Sequence, residues 1–425
     1  MNSRHRQFLA RSAAILVGLA GLAATPASLA ADKRDDRWVG AWSAAPVPLN
    51  GAGQYQDQTL RLIVHTSIAG SQVRIRISNA FGTESLVIGA AHVALRKAGA
   101  SIVPGTDRAL SFSGNPSFTI PAGALAVSDP VYLATPALTD LAVSIYLPVL
   151  STANTTHIFA QQTSYLAKSA GDFTSAADLP GADTTGEWDF LTGVDVTDAG
   201  GGEAIVTVGD SITDGLGSTL DTNRRWPDIL ATRLQARRGL KQFAILNQGI
   251  TGNRVLHPAP PGLDFFGPAG LARFDRDVLG QAGVKYLIVL LGLNDFAQVG
   301  VIAPDSEQVS ASEVIAGYLQ FITRAHERGI VVYGCTLMPF ENSAIAPNFY
   351  SPEKEANRQA VNEWIRTSGA YDAVIDFDKA VRDPAHPRKI LAAYDSGDHT
   401  HPNDAGYKAM AQAIDLDLFR SDDAR

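Results

Sequence analysis

The chain has 425 residues, a hydrophobic content of 45% and a formal net charge of −8. This length and composition indicate a globular protein with a large core, and they argue against a disordered chain. The acidic balance argues against a nucleic-acid partner, because that binding needs clustered Lys and Arg. The single cysteine, Cys335, excludes an internal disulfide and a cysteine-rich zinc site, and its apolar surroundings predict an inert core thiol.

The first thirty residues have the features of a secretory signal peptide. Arg4, Arg6 and Arg11 give a basic start, an apolar run covers residues 13–24, and small residues follow at the spacing of a cleavage site. The apolar run is too short to anchor the protein in a bilayer. We therefore predict a signal peptide over residues 1–30 and a secreted or periplasmic mature protein with no integral membrane segment.

Residues 31–200 are predicted to form a β-rich accessory domain. Apolar runs separated by Gly, Pro, Asn and Asp are typical of strands. The clearest runs cover residues 60–67, 72–78, 86–95 and 140–147. In the second run, aliphatic residues alternate with Arg74 and Arg76, which indicates one buried and one polar face. We expect a β-sandwich-like arrangement.

Residues 201–425 change to short apolar runs that alternate with helical stretches. The predicted strands are residues 204–208, 243–246, 286–291, 330–336 and 373–375. The predicted helices are residues 226–238, 270–279, 310–328, 352–367 and 403–418. This alternation is typical of an α/β domain with a parallel sheet covered on both faces. In such a sheet the functional loops lie at the carboxyl ends of the strands.

The first of these strands leads directly into Gly209-Asp210-Ser211. A serine at the start of a helix, immediately after a buried strand, is exposed at the edge of the sheet. The amino end of the helix there favours a developing oxyanion. Ser211 is therefore a candidate nucleophile, the alternative being that Ser211 or Asp210 only caps the helix.

Near the end of the chain, Asp398 stands three residues before His401. An aspartate at this spacing can turn back and accept a hydrogen bond from one imidazole nitrogen, which leaves the other free to take a proton from a hydroxyl. One alternative is a metal site that includes these residues and His399, and another is a polar turn before the last helix. The metal site is disfavoured, because it usually needs three or more ligands and no second cluster has matching spacing.

Two further loops, residues 247–253 and 292–295, also follow predicted strands. A serine ester hydrolase needs hydrogen-bond donors aimed at the tetrahedral oxygen. Gly252 can offer its N–H without a side chain in the way, and Asn294 can offer its side-chain amide. Each loop taken singly is more often an ordinary turn. The position of all four segments beside one sheet favours a common site.

In this order, the four segments resemble the signature blocks of the GDSL/SGNH hydrolase family. The matching sequences are Gly209-Asp210-Ser211-Ile212, the loop around Gly252, Gly292-Leu293-Asn294-Asp295 and Asp398-His399-Thr400-His401. The resemblance covers about half of the chain and implies a three-layer, flavodoxin-like parallel sheet. The N-terminal part looks like the β-domain that precedes the hydrolase in some secreted bacterial members.

The resemblance also implies a serine esterase mechanism that needs no metal or other cofactor. It implies Ser211 as the nucleophile, His401 as the general base and acid, and Asp398 as the residue that orients the imidazole. It implies an oxyanion hole formed by the N–H groups of Ser211 and Gly252 and by the Asn294 side chain.

The residues say less about the substrate. Asn253 and Arg254 follow the oxyanion glycine and are predicted to reach the substrate, with a structural salt bridge as the alternative for Arg254. The loops 256–267 and 340–351 are predicted to shape the pocket.

Export and a β-domain fit an acyl group carried on a polymer. We therefore expect a small or polymer-bound acyl ester as substrate, with removal of O-acetyl groups from carbohydrate as the favoured reaction. The alternatives are a lipolytic esterase or lysophospholipase, a secreted carbohydrate-binding protein with a vestigial hydrolase domain, and a metallohydrolase.

Overall fold

A computed structural model describes residues 37–179, 181–197 and 201–419, and the predicted signal peptide lies outside these residues. The described residues all belong to one compact unit. Within them, no helix combines the length and the apolar character needed to cross a membrane.

The N-terminal β-rich domain consists of short and long antiparallel strands. In chain order they are β1 (Trp38–Ser43), β2 (Val47–Pro48), β3 (Gln54–Tyr55), β4 (Gln58–Thr66), β5 (Gly70–Ser78), β6 (Leu86–Ile88), β7 (Ala90–Ala98), β8 (Ser101–Ile102), β9 (Arg108–Ala109), β10 (Phe118–Ile120), β11 (Leu125–Val127), β12 (Val131–Thr135), β13 (Thr139–Leu147), β14 (Ser151–Thr152), β15 (Thr155–Thr156), β16 (Ser164–Leu166), β17 (Asp183–Thr185) and β18 (Leu191–Thr197).

Two larger sheets form the body of this domain. One has the order β1-β18-β5-β11, with β12 also beside β5, and the other has the order β17-β16-β4-β13-β7-β8, with β9 also beside β7. The alternating aliphatic residues of β5 are fully buried and share one core cluster with those of β4 and β13, as in a sandwich. The predicted strand 86–95 is split at Gly89, because β6 pairs with β10 whereas β7 pairs with β13.

The C-terminal domain contains a five-stranded parallel sheet and its helices. Its strands are β19 (Glu203–Gly209), β20 (Phe243–Gly249), β21 (Val284–Leu290), β22 (Val331–Cys335) and β23 (Ala373–Ile375). Its α-helices are α1 (Ser211–Asp214), α2 (Trp226–Ala236), α3 (Gly270–Phe274), α4 (Leu293–Ala297), α5 (Ala311–His326), α6 (Pro352–Thr367), α7 (Phe377–Val381) and α8 (Asp404–Ala413). Its 3₁₀ turns are Asp264–Phe266, Asp305–Glu307, Ala392–Tyr394 and Leu416–Leu418, and Asp275–Leu279 is a π-helical turn.

The order of the parallel sheet is β20-β19-β21-β22-β23. This is the flavodoxin-like order, which confirms the predicted fold class. Successive residues of a strand point to opposite faces, so that Ile205 packs in one core cluster and Val206 in the other. Helices α2 and α8 contribute to the first cluster, and α5 and α6 contribute to the second.

The β-rich domain packs directly against the parallel sheet near its edge strand β20. The core cluster that contains Val206 also includes buried apolar residues of β1, β4 and β5. Gly40 of β1 lies so close to this strand that an added Cβ would stand 2.7 Å from the Leu246 side chain. The Ser67 hydroxyl accepts from the Ile245 N–H at 2.9 Å, and its own hydrogen lies between the carbonyl oxygens of Ala41 at 2.8 Å and Ile245 at 3.1 Å. The β-rich domain therefore shares part of its core with the parallel-sheet domain.

Candidate active site

Three neighbouring strands of the parallel sheet end at the same level. Gly209, the last residue of β19, pairs with Gly249 of β20 and with Leu290 of β21. The segments that follow these strands therefore begin at one edge of the sheet. The loop before α8 brings His401 to the same edge, where its ring meets Ser211.

Ser211 opens helix α1, and the helix is capped by its neighbour. The Asp210 carboxylate accepts a hydrogen bond from the Ile212 N–H at 3.0 Å. The Ser211 hydroxyl instead lies 2.7 Å from His401 Nε2. Asp210 therefore caps the helix, and the Ser211 hydroxyl contacts the imidazole. This arrangement agrees with Ser211 as the candidate nucleophile and not as the helix cap.

The imidazole of His401 is held on its other side by Asp398. Nδ1 of His401 lies 2.5 Å from one carboxylate oxygen, and the second oxygen accepts from the N–H groups of His401 at 2.8 Å and Thr400 at 2.9 Å. Burial raises the pKa of Asp398, but the hydrogen bond and charge of His401 and the two N–H groups outweigh it and hold the pKa well below its ordinary value. Asp398 is therefore a carboxylate, and a hydroxyl, an imidazole and a carboxylate form one hydrogen-bonded chain.

His399 takes no part in this chain. Its Nδ1 lies 2.5 Å from the carboxylate of Asp395, and its side chain is about half exposed. Among the described residues, no three His, Cys, Asp or Glu side chains are placed to hold a metal ion. The geometry gives the metal alternative no support.

Three hydrogen-bond donors belong to residues that line the same cavity as Ser211. In the described part of the chain, neither the Ser211 N–H nor the Gly252 N–H donates to a protein acceptor. Gly252 has a φ of +79°, and a Cβ there would stand 2.3 Å from the ring of Phe266, so only glycine fits this position. The Asn294 side-chain amide donates one hydrogen to the Asn253 carbonyl oxygen at 3.1 Å and has a second hydrogen to offer.

These groups line a small cavity of about 100 Å³ together with His401. Its walls are mainly apolar: Phe266 comes from the loop 256–267, whereas Ile345 and Phe349 come from the loop 340–351. Both loops therefore shape the pocket, as predicted. A larger cavity of about 180 Å³ near Lys354 has a more polar lining and reaches neither Ser211 nor His401.

Asn253 and Arg254 are buried beneath the loop and do not line this cavity. The Asn253 side chain donates to the carbonyl oxygens of Phe266 and Pro268 and accepts from Arg273. The Arg254 guanidinium forms an ion pair with Glu307 at 2.7 Å. Their positions do not support the predicted substrate contact, because both side chains are buried and neither residue lines the cavity. The position of Arg254 fits the alternative interpretation, a structural salt bridge.

Sequence reasoning did not identify three buried acids beside the site. Burial raises the pKa of Asp210 to about 7 and that of Asp295 to about 6. Asp295 accepts from the N–H groups of Val255 and Leu256, and so holds the loop that follows Gly252. Asp210 directly precedes Ser211 and Asp295 directly follows Asn294. These positions in the sequence could have indicated that both acids lie beside the site.

The third acid, Asp214, ends helix α1 three residues after Ser211. One of its oxygens accepts from both the N–H and the hydroxyl of Thr251, and the other faces His157 of the β-rich domain. His157 carried no sequence signal, because it lies 57 residues from its partner and outside the matched segments.

Comparisons with known proteins found a family model that matches part of the chain. Residues 207–409 match the family model of the GDSL-like Lipase/Acylhydrolase family. Among curated proteins, none matches this sequence.

Solved structures similar to the chain include a GDSL-like lipase from Bacteroides thetaiotaomicron. Its sequence is 18% identical, the match covers 50% of this chain and 85% of that chain, and the TM-score is 0.36. A catalytic mutant of an acetylxylan esterase from Geobacillus stearothermophilus has 22% identity, covers 50% of this chain and 92% of its own, and has a TM-score of 0.36. An aryl esterase from M. smegmatis has 14% identity, covers 50% and 95%, and has a TM-score of 0.39. The comparisons thus identify residues 207–409 as a GDSL-like lipase/acylhydrolase domain, the family that the four segments predicted.

Proposed function

We propose that this protein is a secreted serine esterase that hydrolyses short-chain carboxylic esters through an acyl-enzyme, with acetylated carbohydrate as its substrate class. The observation that carries the proposal is the hydrogen-bonded chain from Ser211 through His401 to Asp398, at the wall of a small apolar cavity.

The first step is acylation of Ser211. Asp398 accepts a hydrogen bond from the Nδ1–H of His401, so Nε2 has a free lone pair directed at the serine hydroxyl. Nε2 takes the hydroxyl proton while Oγ bonds to the ester carbonyl carbon. The protonated imidazole is stabilised by the Asp398 carboxylate and then gives its proton to the leaving alcohol as the carbon–oxygen bond breaks.

The negative charge on the carbonyl oxygen is held by three donors. They are the N–H groups of Ser211 and Gly252 and the free hydrogen of the Asn294 amide, all of which belong to residues that line the cavity. Such donors are effective because they are already oriented before charge develops. In the second step a water molecule gives a proton to Nε2 of His401 and its oxygen bonds to the acyl carbon; the bond from this carbon to Ser211 Oγ then breaks, Oγ takes the proton back from His401, and the acid product leaves.

The size of the cavity supports a short acyl group. Its volume of about 100 Å³ is well below the roughly 300–1,000 Å³ of pockets that hold drug-sized ligands. Its apolar walls suit a hydrocarbon group rather than a sugar. The leaving alcohol would then lie outside the cavity, where a bulky polymer can be accepted. This favours a short-chain esterase over a lipolytic enzyme for long acyl chains.

The test is an activity panel on the wild type, Ser211→Ala and Ser218→Ala. Ser218 is a matched control, since among the residues that the structure describes its hydroxyl binds just the Gly215 carbonyl oxygen in the same loop. We expect kcat/KM for 4-nitrophenyl esters to be highest for acetate and to fall towards octanoate. The wild type is also expected to release acetate from an acetylated oligosaccharide. Ser211→Ala is expected to lose more than about 10⁴-fold in kcat, and Ser218→Ala to keep its activity.

Each part of the proposal has its own contrary result. Near-wild-type rates for Ser211→Ala would refute the nucleophile. Highest kcat/KM for octanoate would refute the short acyl pocket. No acetate release from the oligosaccharide, with rapid 4-nitrophenyl acetate hydrolysis, would refute the carbohydrate substrate class. Retention of the mature chain in the cytoplasm would refute secretion.

A further inference from the structure

His157 belongs to the β-rich domain but reaches the active-site helix of the hydrolase domain. It follows β15 and is 5% exposed. Its Nδ1 lies 2.9 Å from the Ala45 carbonyl oxygen, and its Nε2 lies 2.9 Å from a carboxylate oxygen of Asp214. Neither His157 nor Asp214 lines the acyl cavity.

The hydrogen-bond partners of the His157 imidazole determine how many protons the ring carries. A carbonyl oxygen can only accept, so Nδ1 must carry a hydrogen for the contact with Ala45. A neutral imidazole has only one N–H, and its Nε2 would then point a lone pair at the Asp214 oxygen. The contact is favourable only if a second proton lies between the two side chains.

The other contacts of Asp214 assign this proton to the ring. Its second oxygen accepts from the Thr251 N–H at 2.9 Å and from the Thr251 hydroxyl at 2.8 Å, as expected for a carboxylate. Burial lowers the pKa of His157, but the charge and hydrogen bond of Asp214 and the Ala45 carbonyl outweigh it, and the net pKa is raised. His157 and Asp214 therefore form a buried ion pair.

This ion pair is joined to the loop that carries the proposed oxyanion donor. Thr251, the partner of Asp214, directly precedes Gly252. The end of β20 also lies against helix α1, since a Cβ on Gly249 would stand 2.3 Å from the Asp214 backbone nitrogen. Asp214 thus links the helix that presents Ser211 to the loop that presents the Gly252 N–H.

We propose that the β-rich domain positions the oxyanion loop through His157, whose imidazolium holds Asp214, which in turn holds Thr251 and Gly252. This inference rests on the proposed esterase function. His157 and Asp214 are positioning residues, because they act on the loop and touch neither the cavity nor Ser211.

Other ionisable groups face this pair and have to be considered in a pH test. Arg225 stands beside His157 and is bound by Asp228 at 2.7 Å. Arg273 and Tyr407 also feel the charge of Asp214. Arginine side chains keep their charge in the neutral range, and burial raises the pKa of Tyr407 well above its ordinary value. The proton that His157 shares with Asp214 is therefore the one that this cluster loses first as the pH is raised.

The experiment compares two variants with the wild type on 4-nitrophenyl acetate. His157→Phe keeps a ring beside Trp188 but removes both donors. A loop misplaced by about 1 Å costs about 10²-fold in rate, so kcat is expected to fall about 10- to 100-fold with KM within about threefold. Asp214→Asn can accept from Thr251 and donate to Nε2 of a neutral His157, which needs no second proton. We expect Asp214→Asn to retain more activity than His157→Phe and to lack the alkaline fall in kcat of the wild type.

Ser67→Ala is the matched control. It removes buried hydrogen bonds between the same two domains at Ile245, away from Asp214. We expect a lower melting temperature and an unchanged kcat. If Ser67→Ala lost as much activity as His157→Phe at equal foldedness, general loosening of the interface would explain both and the inference would be refuted.

Ser211→Ala separates failure of this inference from failure of the proposed function. A wild type no more active than Ser211→Ala would refute the esterase function itself. An active wild type with an inactive Ser211→Ala and a folded, fully active His157→Phe would refute only the role of His157. If His157→Phe does not fold, the dependence of kcat on pH in Asp214→Asn decides. An alkaline fall in kcat equal to that of the wild type would overturn the inference, and the absence of such a fall would support it.

Discussion

Gly252→Ala tests the proposed oxyanion loop, residues 250–253, with the smallest possible increase in side-chain volume. At a φ of +79°, a non-glycine residue costs about 1 kcal/mol of backbone strain. The added Cβ would stand 2.3 Å from the Phe266 ring, whereas carbon atoms in contact are about 3.5 Å apart. The loop or the ring must therefore move by about 1 Å. A displacement of this size costs about 10²-fold in rate, or about 2.7 kcal/mol in the barrier. We expect kcat/KM to fall about 100-fold.

The measurement is kcat/KM on 4-nitrophenyl acetate together with a thermal melt. Gly262→Ala is the matched control, because Gly262 has a φ of +82° but no heavy atom within 4 Å of an added Cβ. It introduces the same backbone strain without the clash, so it should lower the melting temperature and leave kcat/KM within about twofold. A Gly252→Ala enzyme as active as the wild type would refute the placement of the oxyanion donor. So would an equal loss of activity in both variants.

Three further predictions concern the cavity and its neighbours. Asn294→Ala should lower kcat about 10²–10³-fold with little change in KM, since it removes one donor to the oxyanion; steady-state kinetics that show only a KM effect would contradict this. The pKa of Asp210 in the folded protein is raised to about 7, whereas in the unfolded chain it is about 4. Between these pH values the folded protein keeps a proton that the unfolded chain has lost, so the free energy of unfolding falls as the pH rises from about 4 to about 7. Asp210→Asn should therefore raise the melting temperature relative to the wild type at pH 8 but not at pH 4, and equal shifts at both pH values would refute the assignment. Phe349→Ala should widen the acyl cavity by enough to bury about two more CH₂ groups, and at about 0.8 kcal/mol for each it should raise the ratio of hexanoate to acetate kcat/KM roughly tenfold; an unchanged ratio would show that Phe349 does not bound the acyl group.

The local patterns in the sequence predicted the elements best where capping and periodicity agree. Helix α6 has the predicted bounds, because Ser351 caps it and Pro352 occupies its first turn. The predicted helix 270–279 instead becomes a short α-helix followed by a π-helical turn, and 403–418 ends early with a separate 3₁₀ turn. Such changes of helix type depend on tertiary packing, which apolar periodicity does not encode.

The site was predictable where its residues follow strand ends. The in-register ends of β19, β20 and β21 bring the predicted segments together at one edge. Asn253 and Arg254 show the limit of this reasoning. A polar residue next to a functional glycine can turn inwards to bind buried groups, as Asn253 does with two carbonyl oxygens. The contact of His157 with Asp214 joins two domains, and neither residue's neighbours in the chain point to it.

The close packing of Gly40 on Leu246 has a consequence for how this protein can be divided. The segment that matches the family model begins at residue 207, which suggests that it could be expressed without the β-rich domain. A fragment cut there would expose aliphatic side chains beside β20 to water and would leave the Asp214 carboxylate buried without its cation. Breaking a buried ion pair on one side typically costs about 3–5 kcal/mol. Chimeras that exchange the leading domain would therefore have to preserve a histidine opposite this aspartate, together with a glycine-sized gap opposite the leucine.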